Sequence, residues 1–321
     1  MKLGLETESY HIHFQHGRMD IFDFIKKTYE LGLDGVQINI IEDINLDPDW
    51  GCLGSNDLDH LKKVRELLDN YNFYCEIDMR GVEKERMLEV IKVANVLGVK
   101  VIRTYINKGY FDPSKTQKAI EQVKDIVPYL EKNNIQLAIE NHEEEIADEL
   151  IQVIEQVNSS YVGCLCDIGN GMMAWEDPKT TINKLLPYIK TTHFKDHIVI
   201  KDGDQLRVSG CPIGEGNIDT EYCFKKLVEE TELDHINIEM CHPYVSTFKR
   251  PLGYGGVEYL GQGAFKIEEP YIDSKIVPPM KTYHPDPENL ELLLKIQDED
   301  VKKSVEYVKS LREKYCVEKG R

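Results

Sequence analysis

Along the chain, short apolar or alternating runs give way repeatedly to longer stretches whose apolar positions recur every three to four residues. The first pattern has the period of a half-buried strand, the second that of an amphipathic helix. Strands are predicted at Lys2–Thr7, Val36–Ile40, Phe73–Met79, Val99–Ile106, Gln136–Asn141, Val162–Cys166, Ile189–Phe194 and Ile236–Met240. Between them the pattern predicts helices at Ile21–Leu31, stopped by Gly32, at Leu58–Tyr71 with Asn56 or Asp57 as cap, and at Glu85–Leu97, closed by Gly98. Further helices open at Pro113 and Ser114 and run to Lys132, then cover Ala147–Gln156, Thr180–Leu186, Thr220–Glu230 and Val301–Tyr315.

Strand–helix alternation requires parallel pairing, because each helix carries the chain back across the sheet. Eight such units in 321 residues fit an α/β chain folded as a (β/α)8 barrel. The rival, an open doubly wound sheet, predicts a Gly-rich phosphate loop after the first strand. That place is taken by Glu6-Thr7-Glu8-Ser9-Tyr10-His11. The expectation is one barrel domain over residues 1–321 with two decorations. Residues 197–217 read as a β-hairpin turning at Asp202-Gly203-Asp204. Residues 241–287, after strand eight, carry seven prolines and glycines at 253, 255, 256, 261 and 263, too long a stretch for an ordinary connection. It reads as a lid or a partner contact. Its aromatic residues Tyr244, Phe248, Tyr254, Tyr259, Phe265, Tyr271 and Tyr283 suit either stacking on a flat ligand or packing of the insertion itself.

Charge narrows the function. Thirty-nine Lys and Arg against fifty-seven Asp and Glu give a net charge of −18, which repels nucleic acid and anionic lipid. No apolar run has the length of a membrane span, and Glu6 interrupts the place where a signal peptide needs its apolar stretch. The eight cysteines are scattered, with no CxxC pair. A cytoplasmic protein without membrane or nucleic-acid partners is expected.

A barrel of this kind builds its site from the C-terminal strand ends. Strand five ends in Ile139-Glu140-Asn141-His142, strand six in Cys166-Asp167-Ile168-Gly169-Asn170, strand seven in Thr192-His193-Phe194-Lys195-Asp196 and strand eight in Ile238-Glu239. Glu140, Asp167 and His193 follow one another at 27 and 26 residues, about one βα unit each, and Glu239 comes 46 later, one unit plus the hairpin. Three carboxylates and an imidazole thus fall at one height on four neighbouring strands. Burying them uncompensated costs several kcal/mol, and one divalent cation removes that cost. Hard oxygens with one imidazole suit Mn2+, Mg2+ or Co2+, with Zn2+ as a further option. The alternative is a set of separate salt bridges to Lys and Arg at the barrel top.

These strand-end strings, with Pro212-Ile213-Gly214-Glu215-Gly216-Asn217-Ile218-Asp219, resemble the xylose-isomerase-like TIM-barrel superfamily over the first 240 or so residues. That resemblance implies a sugar-processing enzyme whose metal is held by Glu140, Asp167, His193 and Glu239. Many members carry His three residues after the strand-six Asp, where this chain has Asn170, a departure that argues against simple transfer of a sugar-isomerase activity. The superfamily's endonuclease branch fits poorly with a charge of −18. A narrower resemblance lies in Gly4-Leu5-Glu6-Thr7-Glu8-Ser9-Tyr10-His11, Asn39-Ile40-Ile41, Ile102-Arg103-Thr104-Tyr105 and the long insertion. These look like the catalytic α subunit of C-glycoside deglycosidases, bacterial enzymes that cleave the carbon–carbon bond between a 3-oxo-glucosyl unit and a flavonoid or isoflavonoid, as in 3″-oxo-puerarin. The family implies Mn2+ and a smaller β-sandwich partner subunit in a hetero-oligomer.

A C–C glycosidic bond has no leaving oxygen to protonate, so the two-carboxylate glycosidase scheme does not serve. A ketone at C3 acidifies the C2 proton and places the aglycone β to the carbonyl, so loss of that proton permits elimination. His142, two residues beyond Glu140, is the expected base, with a metal-bound Glu140 or Glu239 as the alternative. Arg103, Arg207, Glu215 and His11 are weaker candidates for substrate contact, and His13 for a place on the rim. Lys195, Asp196 and Asn170 are expected to orient the metal ligands. Cys241 and His242 suit packing better than ligation. The competing activities are a sugar or keto-acid isomerase or epimerase using the same metal, and a non-catalytic sugar-binding barrel.

Overall fold

The computed structural model describes residues 1–106 and 113–316. In chain order it runs β1 (Lys2–Glu6), α1 (His11–Gln15), α2 (Ile21–Glu30), β2 (Gly35–Asn39), α3 (Leu58–Asn70), β3 (Tyr74–Asp78), α4 (Lys84–Leu97), β4 (Val101–Thr104) and α5 (Pro113–Asn133). Then come β5 (Gln136–Glu140), α6 (Ala147–Val157), β6 (Val162–Asp167), α7 (Pro178–Leu185), β7 (Ile189–His193), β8 (Asp196–Asp202) and β9 (Gln205–Cys211). The chain continues through α8 (Thr220–Glu230), β10 (His235–Ile238), β11 (Val245–Thr247), β12 (Ile267–Glu268) and α9 (Leu290–Cys316).

Eight parallel strands pair in the order β10-β1-β2-β3-β4-β5-β6-β7. The ring is joined between β7 and β10 by backbone bonds at Phe194, whose N–H donates to the Asn237 carbonyl (2.8 Å) and whose carbonyl accepts from the Glu239 N–H (3.0 Å). This is the (β/α)8 barrel that the alternation predicts. Local sequence sets the helix limits. Asp20 and Asp23 form a reciprocal capping box at the start of α2. Gly98, at φ +73°, ends α4 in the left-handed conformation that a Cβ would strain. Among the described residues, no helix is long and apolar enough to cross a membrane.

The sequence reading underestimates two regions. The turn after β1 closes into the short α1 rather than an open loop, because Tyr10, Ile12 and Phe14 are all apolar and buried. The last helix starts at Leu290, eleven residues before the predicted Val301, since Leu293 and Leu294 pack with Ile12, Ile272 and Val277. The insertion is also less irregular than its glycines and prolines imply. β11 pairs antiparallel with β9, and β12 parallel with β8, so hairpin and insertion form one four-stranded sheet, β11-β9-β8-β12, outside the barrel. Phe248 of the insertion stacks on Trp175 at 3.8 Å, with Phe265 at 5.3 Å on the same ring.

The barrel interior is polar along one line. Gln37 Nε2 donates to Glu76 Oε2 (2.9 Å), which also accepts from Thr191 Oγ1 (2.8 Å) and Asn237 Nδ2 (2.7 Å). Glu76 Oε1 lies 2.7 Å from His235 Nε2 near the strand starts. Each of these groups would cost a few kcal/mol if buried alone; bonded together they satisfy one another.

Candidate active site

β6 and β7 are in register with Asp167 opposite His193, so the two side chains leave the barrel at one level. Glu140 is the last residue of β5, and Glu239 follows β10. His193 Nδ1 is the meeting point: Glu239 Oε2 lies at 2.9 Å, Glu140 Oε1 at 3.1 Å and Asp167 Oδ2 at 3.6 Å. Glu140, Asp167 and His193 each offer a ligand atom within 4.8 Å of the other two. Glu239 stands outside that set of three but reaches the same nitrogen.

Each member is held from behind. His193 Nε2 bonds Gln37 Oε1, which fixes the ring and leaves Nδ1 facing the carboxylates. Asp167 Oδ1 accepts the backbone N–H groups of Gly169 and Asn170, both at 2.8 Å. Asn170 Nδ2 donates to Glu140 Oε1 (3.1 Å), so the residue that departs from the family pattern still orients a proposed ligand. Arg103 pairs with both Glu140 and Asp78. Lys195 Nζ bridges Asp167 Oδ2 (2.7 Å) and Glu239 Oε2 (2.6 Å).

Glu6, Glu8, Asp78, Glu140, Asp167 and Glu239 crowd around Arg103 and Lys195. Burial, then Glu239 and Asp78, push the Glu6 carboxyl well above the usual range. Burial lifts Asp78 to about 6 against the pull of Arg103, and lifts Glu8 to about 7 despite a hydrogen bond from Tyr283. Burial opposes ionisation of Glu239 too, yet His193 and Lys195 bring it down to about 2. His193 itself is raised well above the ordinary imidazole range: burial works against its charge, and Glu239 and Glu140 prevail. Asp167 Oδ2 and Glu239 Oε2 are fully buried without a hydrogen bond of good geometry. These two oxygens, which share Lys195 Nζ, form with the His193 imidazole nitrogen and the Glu140 carboxylate a donor set of the kind that holds a hard divalent ion. Salt bridges to Arg103 and Lys195 are present as well, while Glu140, Asp167 and His193 each bring a ligand atom within 4.8 Å of the other two.

Glu140 and Glu239 of the cluster line a cavity of about 280 Å3, with Asn170 and Lys195 beside them. His142 lines it and stacks on Tyr105 at 4.0 Å and 10°. Burial lowers the His142 pKa, against the pull of Glu140 and Glu143, which favours the neutral ring. His11 also lines the cavity; its Nδ1 is 3.0 Å from the Glu8 carbonyl, and its face stacks on Tyr283 at 3.9 Å. Arg103 lines it with its guanidinium already committed to two carboxylates. His13 is turned away, toward Gln297.

Three expectations need correction. Arg207 pairs with Asp202 on its own hairpin, and Glu215, in the loop after β9, accepts from the Tyr271 phenol; neither lines the cavity. Asp196 does not orient His193. Its carboxylate accepts the backbone N–H groups of His197, Gly214, Gly216 and Ile218 and so shapes the loop before α8. The insertion's aromatic residues divide: Tyr244 and Tyr283 face the cavity, Phe248 and Phe265 pack on Trp175, and Tyr259 is exposed. Cys241 Sγ lies 3.3 Å from His197, and His242 Nδ1 2.5 Å from Asp300, consistent with packing.

Sequence reading misses Gln37, Asp78 and Glu8. Asp78 alternates with Glu76 along β3, and Gln37 lies opposite Glu76 on β2, polar positions in otherwise apolar strands that mark a polar barrel interior.

Residues 25–261 match the family model for the xylose isomerase-like TIM barrel. The chain belongs to that family. It is similar to 3-oxo-isoapionate decarboxylase of Pectobacterium atrosepticum, 26% identical over 161 residues, a match that spans 50% of this chain and 58% of that relative's length. Its fold is shared with a D-psicose 3-epimerase crystallised in the presence of D-fructose, at TM-score 0.63 and 12% identity over 97% of this chain and 99% of that one. It is also shared with a xylose isomerase-like TIM barrel protein from Mycobacterium smegmatis in complex with magnesium, at TM-score 0.59 and 15% identity over 93% and 97% of the two chains. The chain spans less than two thirds of the length of the first curated relatives it matches.

Proposed function

We propose that this chain is a divalent-metal-dependent lyase that cleaves the C–C glycosidic bond of a 3-oxo-C-glucoside of a flavonoid or isoflavonoid. The observation that carries this reading is the convergence of Glu140, Asp167 and Glu239 on His193 Nδ1, with Glu140 and Glu239 lining a cavity that His142 and Tyr105 also line. A similar protein whose name specifies a 3-oxo substrate supports a carbonyl at the sugar's C3. Glu140, Asp167, His193 and Glu239 would hold the metal, Mn2+ before Mg2+, Co2+ or Zn2+. When bound, such an ion supplies Lewis-acid stabilisation of negative charge on a carbonyl oxygen.

The chain's own residues supply the rest. His142, kept neutral by burial and fixed against Tyr105, takes the proton from C2. Asn170 and Gln37 keep Glu140 and His193 in place through the reaction. At about 280 Å3 the cavity lies just under the roughly 300–1,000 Å3 usual for ligand sites. The sugar occupies it, and the aglycone packs along the wall that Tyr244 and Tyr283 line. A smaller partner subunit would cover the aglycone there. The same small volume favours a second reading, an isomerase or epimerase of a free sugar.

The chain, purified with Mn2+ and its small partner, is expected to release aglycone from a 3-oxo-C-glucoside and none from the unoxidised glucoside. Epimerisation of free ketohexoses without any aglycone release overturns the lyase reading in favour of the second.

A further inference from the structure

Elimination of an aryl group needs two proton transfers: one off C2, and one onto the departing carbon. His142 accounts for the first. The second requires a donor elsewhere on the cavity wall, and Glu8 occupies such a place.

Glu8 lies in the turn directly after β1, and His142 directly after β5. In a ring ordered β10-β1-β2-β3-β4-β5-β6-β7, those strands are four staves apart out of eight, so the two residues enter the cavity from opposite sides. The Glu8 carboxyl is fixed at one oxygen only. Tyr283, brought in by the insertion just before α9, donates its phenol hydrogen to Oε1 and stacks on His11. The Glu8 backbone N–H is bonded to Glu6, which locks the turn. Among the described residues, Oε2 has no hydrogen bond and no lysine or arginine forms a salt bridge to this side chain, although it lines a cavity that contains both. A carboxyl lining a ligand cavity, anchored by one phenol and held in no salt bridge, is suited to carry a proton.

We propose that Glu8 is the proton donor of this site, acting across the cavity from His142. The inference rests on the lyase reading above. The step balances without a co-reactant. His142 accepts the C2 proton; the C2–H electron pair moves into the C1–C2 bond as the C1–aryl bond breaks; that bond's electron pair takes the Glu8 proton to give the free aromatic ring. The sugar leaves as the 3-oxo-1,2-ene, and a proton passes from His142 to Glu8 through solvent to reset the pair. Tyr283 is a positioning residue for Glu8, which makes the insertion part of the donor rather than a cover alone.

The test compares wild type and Glu8→Gln in the preparation of the full chain that releases aglycone, with Mn2+ bound. Two 3-oxo substrates are used: an aryl C-glucoside, whose carbon must be protonated, and a p-nitrophenyl O-glucoside, whose leaving oxygen needs no proton. Glu8→Gln is expected to slow aryl release on the order of 10²–10⁴-fold, with nitrophenol release lowered less than tenfold and C2-proton exchange with D2O retained. Tyr283→Phe is expected to show the same selective loss in smaller degree. Equal aryl release by Glu8→Gln and wild type overturns the proposal, as does an equal loss of aryl release, nitrophenol release and exchange, since that pattern belongs to a damaged base or fold. A wild-type chain that exchanges no C2 proton and releases neither group refutes the lyase reading itself, and is told apart because the failure lies in the wild type.

Discussion

Lys195→Met separates structural compensation from metal binding in the carboxylate cluster. Lys195 is 4% exposed, and its ammonium sits 2.7 Å from Asp167 and 2.6 Å from Glu239. Burial alone would discharge it, but those two carboxylates hold its pKa well above the ordinary lysine value. Methionine keeps most of the volume and removes the charge, leaving two buried carboxylates without their shared partner. Removing one member of a buried ionic set typically costs about 3–5 kcal/mol. With an unfolding entropy of about 2.1 cal/mol/K per residue, a chain of 321 residues loses roughly 5–7 °C of Tm for that cost. A dication gripped by the same carboxylates replaces the missing charge. Mn2+ at a hundred times its Kd stabilises the wild type by about 2.7 kcal/mol, or roughly 4 °C, and is expected to stabilise the variant by more, closing the gap between the two. The assay is a thermal melt of each protein with chelator and with excess Mn2+. A variant as stable as wild type in chelator, or a gap that Mn2+ leaves unchanged, refutes the reasoning that one cluster of buried carboxylates serves both lysine and metal.

Three further outcomes follow from the same geometry. His142→Ala is expected to lower turnover on the order of 10²–10⁴-fold while metal content by elemental analysis stays at the wild-type level; retained activity removes His142 as base. Gln37→Leu takes the bond from His193 Nε2 and is expected to weaken Mn2+ binding about 10–100-fold, measured by calorimetry, although Gln37 is no ligand. His235 is raised to about 9, because Glu76 and Asp234 overcome the effect of burial. A raised histidine stabilises the fold fully below its unfolded pKa near 6.5 and loses that contribution as pH rises through 9. Urea titrations should therefore show a loss of about 3 kcal/mol between pH 6 and pH 10, and His235→Gln should flatten it.

The hydrophobic pattern alone determined the order and type of the barrel's strands and helices. It did so because each strand is buried and each helix carries one apolar face, so periodicity records the environment directly. The same logic exposed Glu140, Asp167, His193 and Glu239, since a barrel places all its C-terminal strand ends on one face and the spacing then counts units. Nothing local specifies that Glu8 faces His142, that Gln37 holds His193, or that Arg207 and Glu215 lie outside the cavity. Glu8 and His142, like Gln37 and His193, are more than a hundred residues apart, and only closure of the ring brings them into one site. The insertion was the least legible part: its glycines and prolines give no period, and its strands β11 and β12 exist because β8 and β9 offer unpaired edges to hydrogen-bond.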